Sequence, residues 1–382
     1  KTLADSKPYF IGQPKAPDGA PNVLIIMLDD GGYSSATSYG GVMKTPTFDR
    51  IGDEGIRYTH MSVAAVCSPT RGSLLTGYNI HQIGTGIISE FATGYPGYNS
   101  QIDYTTPSIA KILTDNGYAT AAFGKWHNTP MEEASPAGPF ESWPTGIWGF
   151  EYFWGFLGGE TNQFHPLLYE NNTAIETPKT NADGSRFHIS HGMADQAIRW
   201  LDNWKGLRDV PFFMYYTPGA VHAPIQVPEE WRDKYKGQFD DGWHVYRSQQ
   251  LERQKKLGLI PENAQMVDWP EVIPEWDSFS EEGKRYLARQ MEVNAAFLEH
   301  VDYHIGRIID HIEEMGELDN TLVIYLTADN GATAEGTPTG TFSELLMQNG
   351  FPPLTMEQQL EKLEEFGGLD AWGGPHLANH YS

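Results

Sequence analysis

Residues 22–28 read Asn-Val-Leu-Ile-Ile-Met-Leu and stop at Asp29-Asp30-Gly31-Gly32. A run with no polar face has to be covered on both sides, which is the environment of a central strand in a parallel sheet. A parallel sheet in turn needs crossover helices between its strands. A second such run, Thr-Leu-Val-Ile-Tyr-Leu-Thr over 321–327, stops at Asp329-Asn330-Gly331. Before it Leu287, Met291, Leu298, Val301, Ile305, Ile308, Ile312 and Met315 keep a three-four spacing that ends at Gly316, which predicts a helix feeding a strand. Two more runs follow the same plan. Tyr118–Phe123 leads into Gly124-Lys125-Trp126-His127 after a helix that Pro107 opens and Ile109, Ile112 and Leu113 pack. Residues 212–216 lead through Pro218 to His222 after a helix carrying Ala194, Ile198 and Leu201. The alternation predicts an α/β fold with a large, mainly parallel sheet flanked by helices. Ligand crevices in such sheets lie beyond the carboxyl ends of the strands, and all four of these strands end in polar groups there.

Charge narrows the partners. Fifty acidic against 26 basic side chains leave a formal charge of −24 over 382 residues, which argues against nucleic acid or an anionic membrane surface as partner. No segment approaches the roughly 18 consecutive apolar residues of a membrane-spanning helix. The one cysteine excludes an intramolecular disulfide framework. A start at Lys1 in place of methionine is compatible with a removed targeting segment or with an arbitrary boundary. The expected compartment is periplasmic or secreted, with the cytoplasm as the alternative.

Three groups of residues carry candidate chemistry. Cys67-Ser-Pro-Thr-Arg-Gly-Ser-Leu-Leu-Thr-Gly77 predicts a short helix with Pro69 in its first turn, Leu74 and Leu75 buried, and a glycine stop. The unpaired N–H groups of that turn and Arg71 favour an anion, and the same field is expected to lower the pKa of the Cys67 thiol. Asp29, Asp30, Asp329 and Asn330 form an all-oxygen set that suits Ca2+, and less well Mg2+, far better than zinc. Converging carboxylates without a cation would repel one another. Lys125, His127 and His222 join Arg71 as donors for a tetrahedral dianion, with Lys125 and His127 expected on one face of a strand. Either histidine could protonate a leaving oxygen.

The segment from Cys67 resembles the signature of the sulfatase family, Cys-x-Pro-Ser/Thr-Arg followed by Leu-Thr-Gly, in which the cysteine is oxidised to formylglycine. The resemblance runs over nearly the whole chain and is most like bacterial arylsulfatases in residues 22–84, in Gly124-Lys-Trp-His127 and in the aromatic run 138–169. It implies an alkaline-phosphatase-like sheet and hydrolysis of sulfate monoesters, with aryl sulfates first among them. It also implies a formylglycine-generating enzyme as partner during maturation. Asp29, Asp30, Asp329 and Asn330, with the modified Cys67, would hold calcium. Arg71 would orient the formylglycine, Lys125 and His222 would contact the sulfate, and His127 would hydrogen-bond the aldehyde hydrate. A phosphonate monoester or phosphodiester hydrolase, and a non-catalytic protein that binds calcium and anions, are the alternatives.

Two features depart from the family pattern. A further lysine after the Asp-Asn pair, and a smaller antiparallel-sheet domain, are usual there. Here Lys362 is the last lysine and sits in a charged stretch that reads as solvated surface. The expectation is therefore a catalytic α/β domain over 1–382 with its C-terminal subdomain truncated, leaving an apolar sheet edge or face uncovered. Residues 224–283, rich in proline, tryptophan and mixed charge, are expected to form a helical excursion over the crevice. Trp143, Trp148, Tyr152, Phe153 and Trp154 are expected mostly in the core, with an aryl-site wall as the alternative.

Overall fold

The computed structural model describes residues 2–9, 12, 14–64, 66–207, 210–268, 271–331, 336–343, 346, 349–369 and 371; Trp372-Gly-Gly-Pro-His and Asn379-His-Tyr lie outside them. Among the described residues seven strands form one sheet: β1 (Asn22–Gly32), β2 (Ala119–Lys125), β3 (Tyr152–Phe156), β4 (Leu168–Glu170), β5 (Thr173–Ile175), β6 (Phe212–Thr217) and β7 (Thr321–Ala328). Their order is β5-β4-β3-β2-β6-β1-β7. Pairing is parallel from β3 through β7 and antiparallel at β3/β4 and β4/β5. The mixed, mainly parallel sheet is the one the sequence predicts.

Among the described residues the α-helices are α1 (Pro46–Glu54), α2 (Cys67–Thr76), α3 (Ile109–Asp115), α4 (Ile189–Leu207), α5 (Glu229–Arg232), α6 (Gly242–Lys256), α7 (Glu281–Glu314) and α8 (Met356–Leu360). Alternate residues of β1 explain the two-sided apolar run. Leu24, Ile26 and Leu28 join the core under α4 and α7, whereas Ile25 and Met27 join the opposite one with Leu75 of α2 and Ala110 of α3. Trp143, Trp148, Phe153 and Trp154 are all buried in these two cores, as expected. On α3 the expectation is corrected in detail: Ser108 caps the helix by accepting from Lys111 N at 3.0 Å, and Ile112 faces solvent.

Strand β1 runs further than its apolar stretch. Its pairing with β7 is regular to Met27↔Leu326 and then jumps to Gly32↔Ala328, so a bulge carries Asp29 and Asp30 out of the ladder. Asp30 takes a left-handed backbone, φ 53°, and Asp29 N donates to Ala220 O at 3.0 Å. The irregularity lies where the carboxylates must leave the strand.

Helix α7 starts at Glu281 behind a Ser280 cap and runs for 34 residues, about 50 Å at 1.5 Å per residue. The eight-residue β7 that it feeds is about half that length, so the amino-terminal half of α7 rises past the carboxyl ends of the strands. Residues 224–283 carry α5 and α6. Side chains of α6 donate to the backbone that follows β1: Gln250 to Ser34 O, Arg253 Nε to Gly40 O at 2.6 Å, and Gln254 to Tyr39 O at 3.1 Å. Trp243, Tyr246 and Trp276 of this segment pack into the core that α4 and α7 share. Lys362 is exposed and pairs with Glu365 at 3.3 Å. Among the described residues no helix is long and apolar enough to cross a membrane.

Candidate functional site

At the carboxyl ends of β1, β2, β6 and β7 the sequence-selected residues meet in pairs. Asp29, buried to 3% exposure, accepts from Lys125 Nζ at 2.5 Å on one oxygen and from Arg71 Nη2 at 3.3 Å on the other. Arg71 also donates to Lys125 O at 2.6 Å, tying α2 to the end of β2. Asp30 accepts from Asn330 Nδ2 at 3.0 Å and lies 3.6 Å from His222 Nε2. His222 Nδ1 is 2.9 Å from Ala223 O and 3.9 Å from Glu160. A small cavity of about 30 Å³ is lined by Asp29, Asp30, Cys67, Thr70, Arg71 and Asn330 among others.

Burial alone would push Asp29 up, but Lys125, Arg71 and His222 outweigh it and hold the carboxyl well below the usual range. Asp30 has the opposite outcome. Burial pushes it up, His222 opposes this, and the charge on Asp29 adds to the rise. Two adjacent carboxylates, one buried and one partly so, the second short of positive charge, are what a hard divalent cation would relieve. The all-oxygen donor set thus fits calcium in kind. Among the described residues no group of three or more His, Cys, Asp or Glu side chains is arranged to hold a metal ion. Asp329 stands apart, exposed, with its Oδ1 accepting from Val63 N at 3.0 Å.

Cys67 opens α2 as predicted, with Pro69 and Leu75 buried and Gly77 closing the helix in a left-handed conformation. Asn128 steadies the first turn by donating to Ser68 O at 3.0 Å. One expectation fails here. Burial pushes the Cys67 thiol up, the charges of Asp29 and Asp30 add to the rise, and Lys125 and Arg71 only partly offset them. The arginine that was to activate the thiol spends its charge on Asp29, so the helix start does not make Cys67 a ready thiolate.

The strand argument for Lys125 and His127 also fails. Strand β2 ends at Lys125, and His127 follows with φ 60°, a left-handed backbone that breaks the alternation. Its imidazole turns to a residue that the sequence did not mark: Nε2 is 2.8 Å from Glu90 Oε2. Glu90 lies on a 3-10 turn, Ser89–Phe91, in a Gly- and Tyr-rich loop with no motif around it, so sequence held no signal for the contact. Glu160 beside His222 was also missed, although it lies inside the 138–169 run that carries the resemblance, because only the tertiary structure brings that run to the end of β6.

A family model described as Sulfatase matches residues 21–364. Over 380 residues the chain is 36% identical to an uncharacterized sulfatase of Schizosaccharomyces pombe, covering 94% of this chain and 65% of that protein. It is 30% identical to an arylsulfatase of Klebsiella aerogenes over 321 residues, 82% of this chain and 66% of the relative. The chain thus spans about two thirds of the length of these two curated relatives. Among solved structures, a putative sulfatase of Bacteroides fragilis superposes with a TM-score of 0.61 at 21% identity, covering 87% of this chain and 67% of the other, a likeness of fold.

Proposed function

Because the chain belongs to the sulfatase family, we propose that it hydrolyses sulfate monoesters, aryl sulfates first among them, with residue 67 acting after oxidation of Cys67 to formylglycine. The observation that supports this reading is the placement of Cys67 at the first turn of α2, lining one cavity with Asp29, Asp30, Arg71 and Asn330. An unoxidised thiol is a poor candidate there. It is held protonated by its surroundings, and its attack on a sulfate ester would form a sulfur–sulfur bond with no easy second step. The aldehyde hydrate supplies one hydroxyl to attack sulfur and a second to help expel sulfate.

In this reading Asp29, Asp30, Asp329 and Asn330, with the modified Cys67, would hold a calcium ion, whose charge would relieve the adjoining carboxylates. Lys125 and Arg71 then sit beside the position of the transferred group, and His222 beside Asp30 serves the leaving oxygen. The enzyme that oxidises Cys67 is the macromolecular partner the reading requires.

The test is the mass of the peptide containing Cys67, in which oxidation exchanges one sulfur and two hydrogens for one oxygen, together with turnover of 4-nitrophenyl sulfate. The aldehyde should be present in active preparations, and Cys67→Ala should abolish turnover while the urea midpoint is kept. Undiminished activity in that variant removes the assignment.

A further inference from the structure

We propose that Glu90 is a positioning residue that fixes the tautomer of His127, leaving Nδ1 as the ring's proton-accepting atom. This inference rests on the sulfatase reading only for the identity of the reaction; the tautomer follows from geometry. His127 is 2% exposed, and its Nε2 lies 2.8 Å from Glu90 Oε2. Burial would push Glu90 up, yet the hydrogen bonds it accepts from His127, its own backbone and Ser89 hold it low, so Glu90 is a carboxylate at neutral pH. A carboxylate can only accept, so the shared hydrogen belongs to Nε2. Ser89 Oγ donates to the same Glu90 oxygen at 3.1 Å and steadies it.

The ring has little freedom to do otherwise. A Cβ on Gly159 would stand 2.9 Å from His127 Cε1, so glycine there is what leaves room for the imidazole. His127 N donates to Leu157 O at 3.0 Å and holds the backbone. Nδ1 is buried and has no hydrogen-bond partner among the described residues. Burial, with Lys125 and Arg71 nearby, keeps the ring neutral, down to about 4, although Glu90 pulls the other way. A neutral ring with its proton committed to Glu90 offers one lone pair, at Nδ1, and the fixed carboxylate stabilises the imidazolium that forms when Nδ1 takes a proton. Carboxylates that orient metal-bound histidines are worth roughly 10–100-fold, and an effect of that order is expected for the same orienting role here.

Two variants test this. Glu90→Leu removes the acceptor and the charge, and Glu90→Gln keeps an acceptor without the charge. The first readout is independent of activity: 15N imidazole shifts of His127, identified by difference against His127→Gln. The parent should show the Nε2–H tautomer, and Glu90→Leu should lose that preference. The second is kinetics with 4-nitrophenyl sulfate. Glu90→Leu should lower kcat by roughly 10–100-fold with KM nearly unchanged, and Glu90→Gln should fall between it and the parent. A merely structural Glu90 would instead lower the urea midpoint and leave the tautomer alone. An unchanged tautomer in Glu90→Leu, or kcat within about threefold of the parent, overturns the proposal. A parent that carries the aldehyde yet turns over no sulfate ester overturns the sulfatase reading instead, and the tautomer then decides Glu90 by itself.

Discussion

Two buried polar clusters sit at the same end of this sheet and solve burial in opposite ways. Around Asp29 the groups are charged and paired: one carboxylate, one ammonium and one guanidinium, with exposures of 4% or less. Between α4 and α7 the groups are imidazoles kept neutral. His188, His300 and His304 are all buried and, with the half-buried His191, border a cavity of about 920 Å³. Burial brings His188 down to about 4 and His304 to about 2, with neighbouring cations and imidazoles adding to the fall. A permanently charged neighbour dictates the tautomer here as well. Arg307 Nη1 lies 3.1 Å from His304 Nδ1 and can only donate, so His304 carries its hydrogen on Nε2 and gives it to His300 Nε2 at 3.1 Å. Charge is tolerated in the interior where its complement is supplied by the fold; elsewhere the interior selects the uncharged form.

The sharpest way to break the comparison is Lys125→Ala. It leaves Asp29 buried with Arg71 alone, which should cost about 3–5 kcal/mol of stability, and it removes a cation worth roughly 10²–10³ in rate from the proposed dianion site. Urea unfolding and kcat/KM with 4-nitrophenyl sulfate measure the two. Activity within about threefold of the parent would leave Lys125 as the counter-ion of Asp29 and nothing more.

A pH series sharpens the contrast with a smaller effect. An unfolded histidine takes up its proton near pH 6.5, whereas native His188 resists to about 4 and native His304 to about 2. Between pH 6.5 and 4 the unfolded chain therefore binds more protons than the native one. Stability should fall with falling pH by about 1.4 kcal/mol per unit for each such histidine. Asp29 behaves in reverse order of pH: its native carboxyl is held below its unfolded value near 3.8, so its contribution is intact above that value and is lost only below it. The imidazole cluster should thus fail first on acidification, and His304→Gln should flatten the upper part of the curve. Buried Asp302, pushed up to about 7, works against this slope by taking up its proton in the native state, so the decisive reading is the difference between parent and His304→Gln: an unchanged slope in the variant would mean that native His304 gains its proton as readily as an unfolded one.

The smallest effect concerns the whole molecule. With a formal charge of −24, the body of the protein opposes an anionic ester at long range while Lys125 and Arg71 act at short range. Moderate salt should therefore raise kcat/KM slightly, by less than about twofold, through screening of the distant repulsion. A steep fall with salt would show that the short-range cations dominate encounter as well as chemistry.

The local code of this chain determined a good deal. The two-sided apolar run at residues 22–28 became the inner strand β1, covered on both faces, whereas the run at 321–327 became the edge strand β7, where no residue is fully buried and Leu322 is 52% exposed. The Cys67–Gly77 stretch became α2, because proline in a first turn and glycine at a stop act on their own backbone. Composition and strand-end chemistry also picked out Asp29, Asp30, Arg71, Lys125, His222 and Asn330, which the fold draws into two adjoining pairings. Tertiary structure alone decided how their charges are spent. Arg71 and Lys125 come from elements far apart in sequence, so nothing local shows that both would close on Asp29 and leave the Cys67 thiol protonated. The left-handed turn at His127 and its contact with Glu90, 37 residues away, are equally non-local. Backbone preference acts over a few neighbouring residues and can be read along the chain, whereas a pKa or a tautomer depends on which distant charges burial brings within a few ångströms.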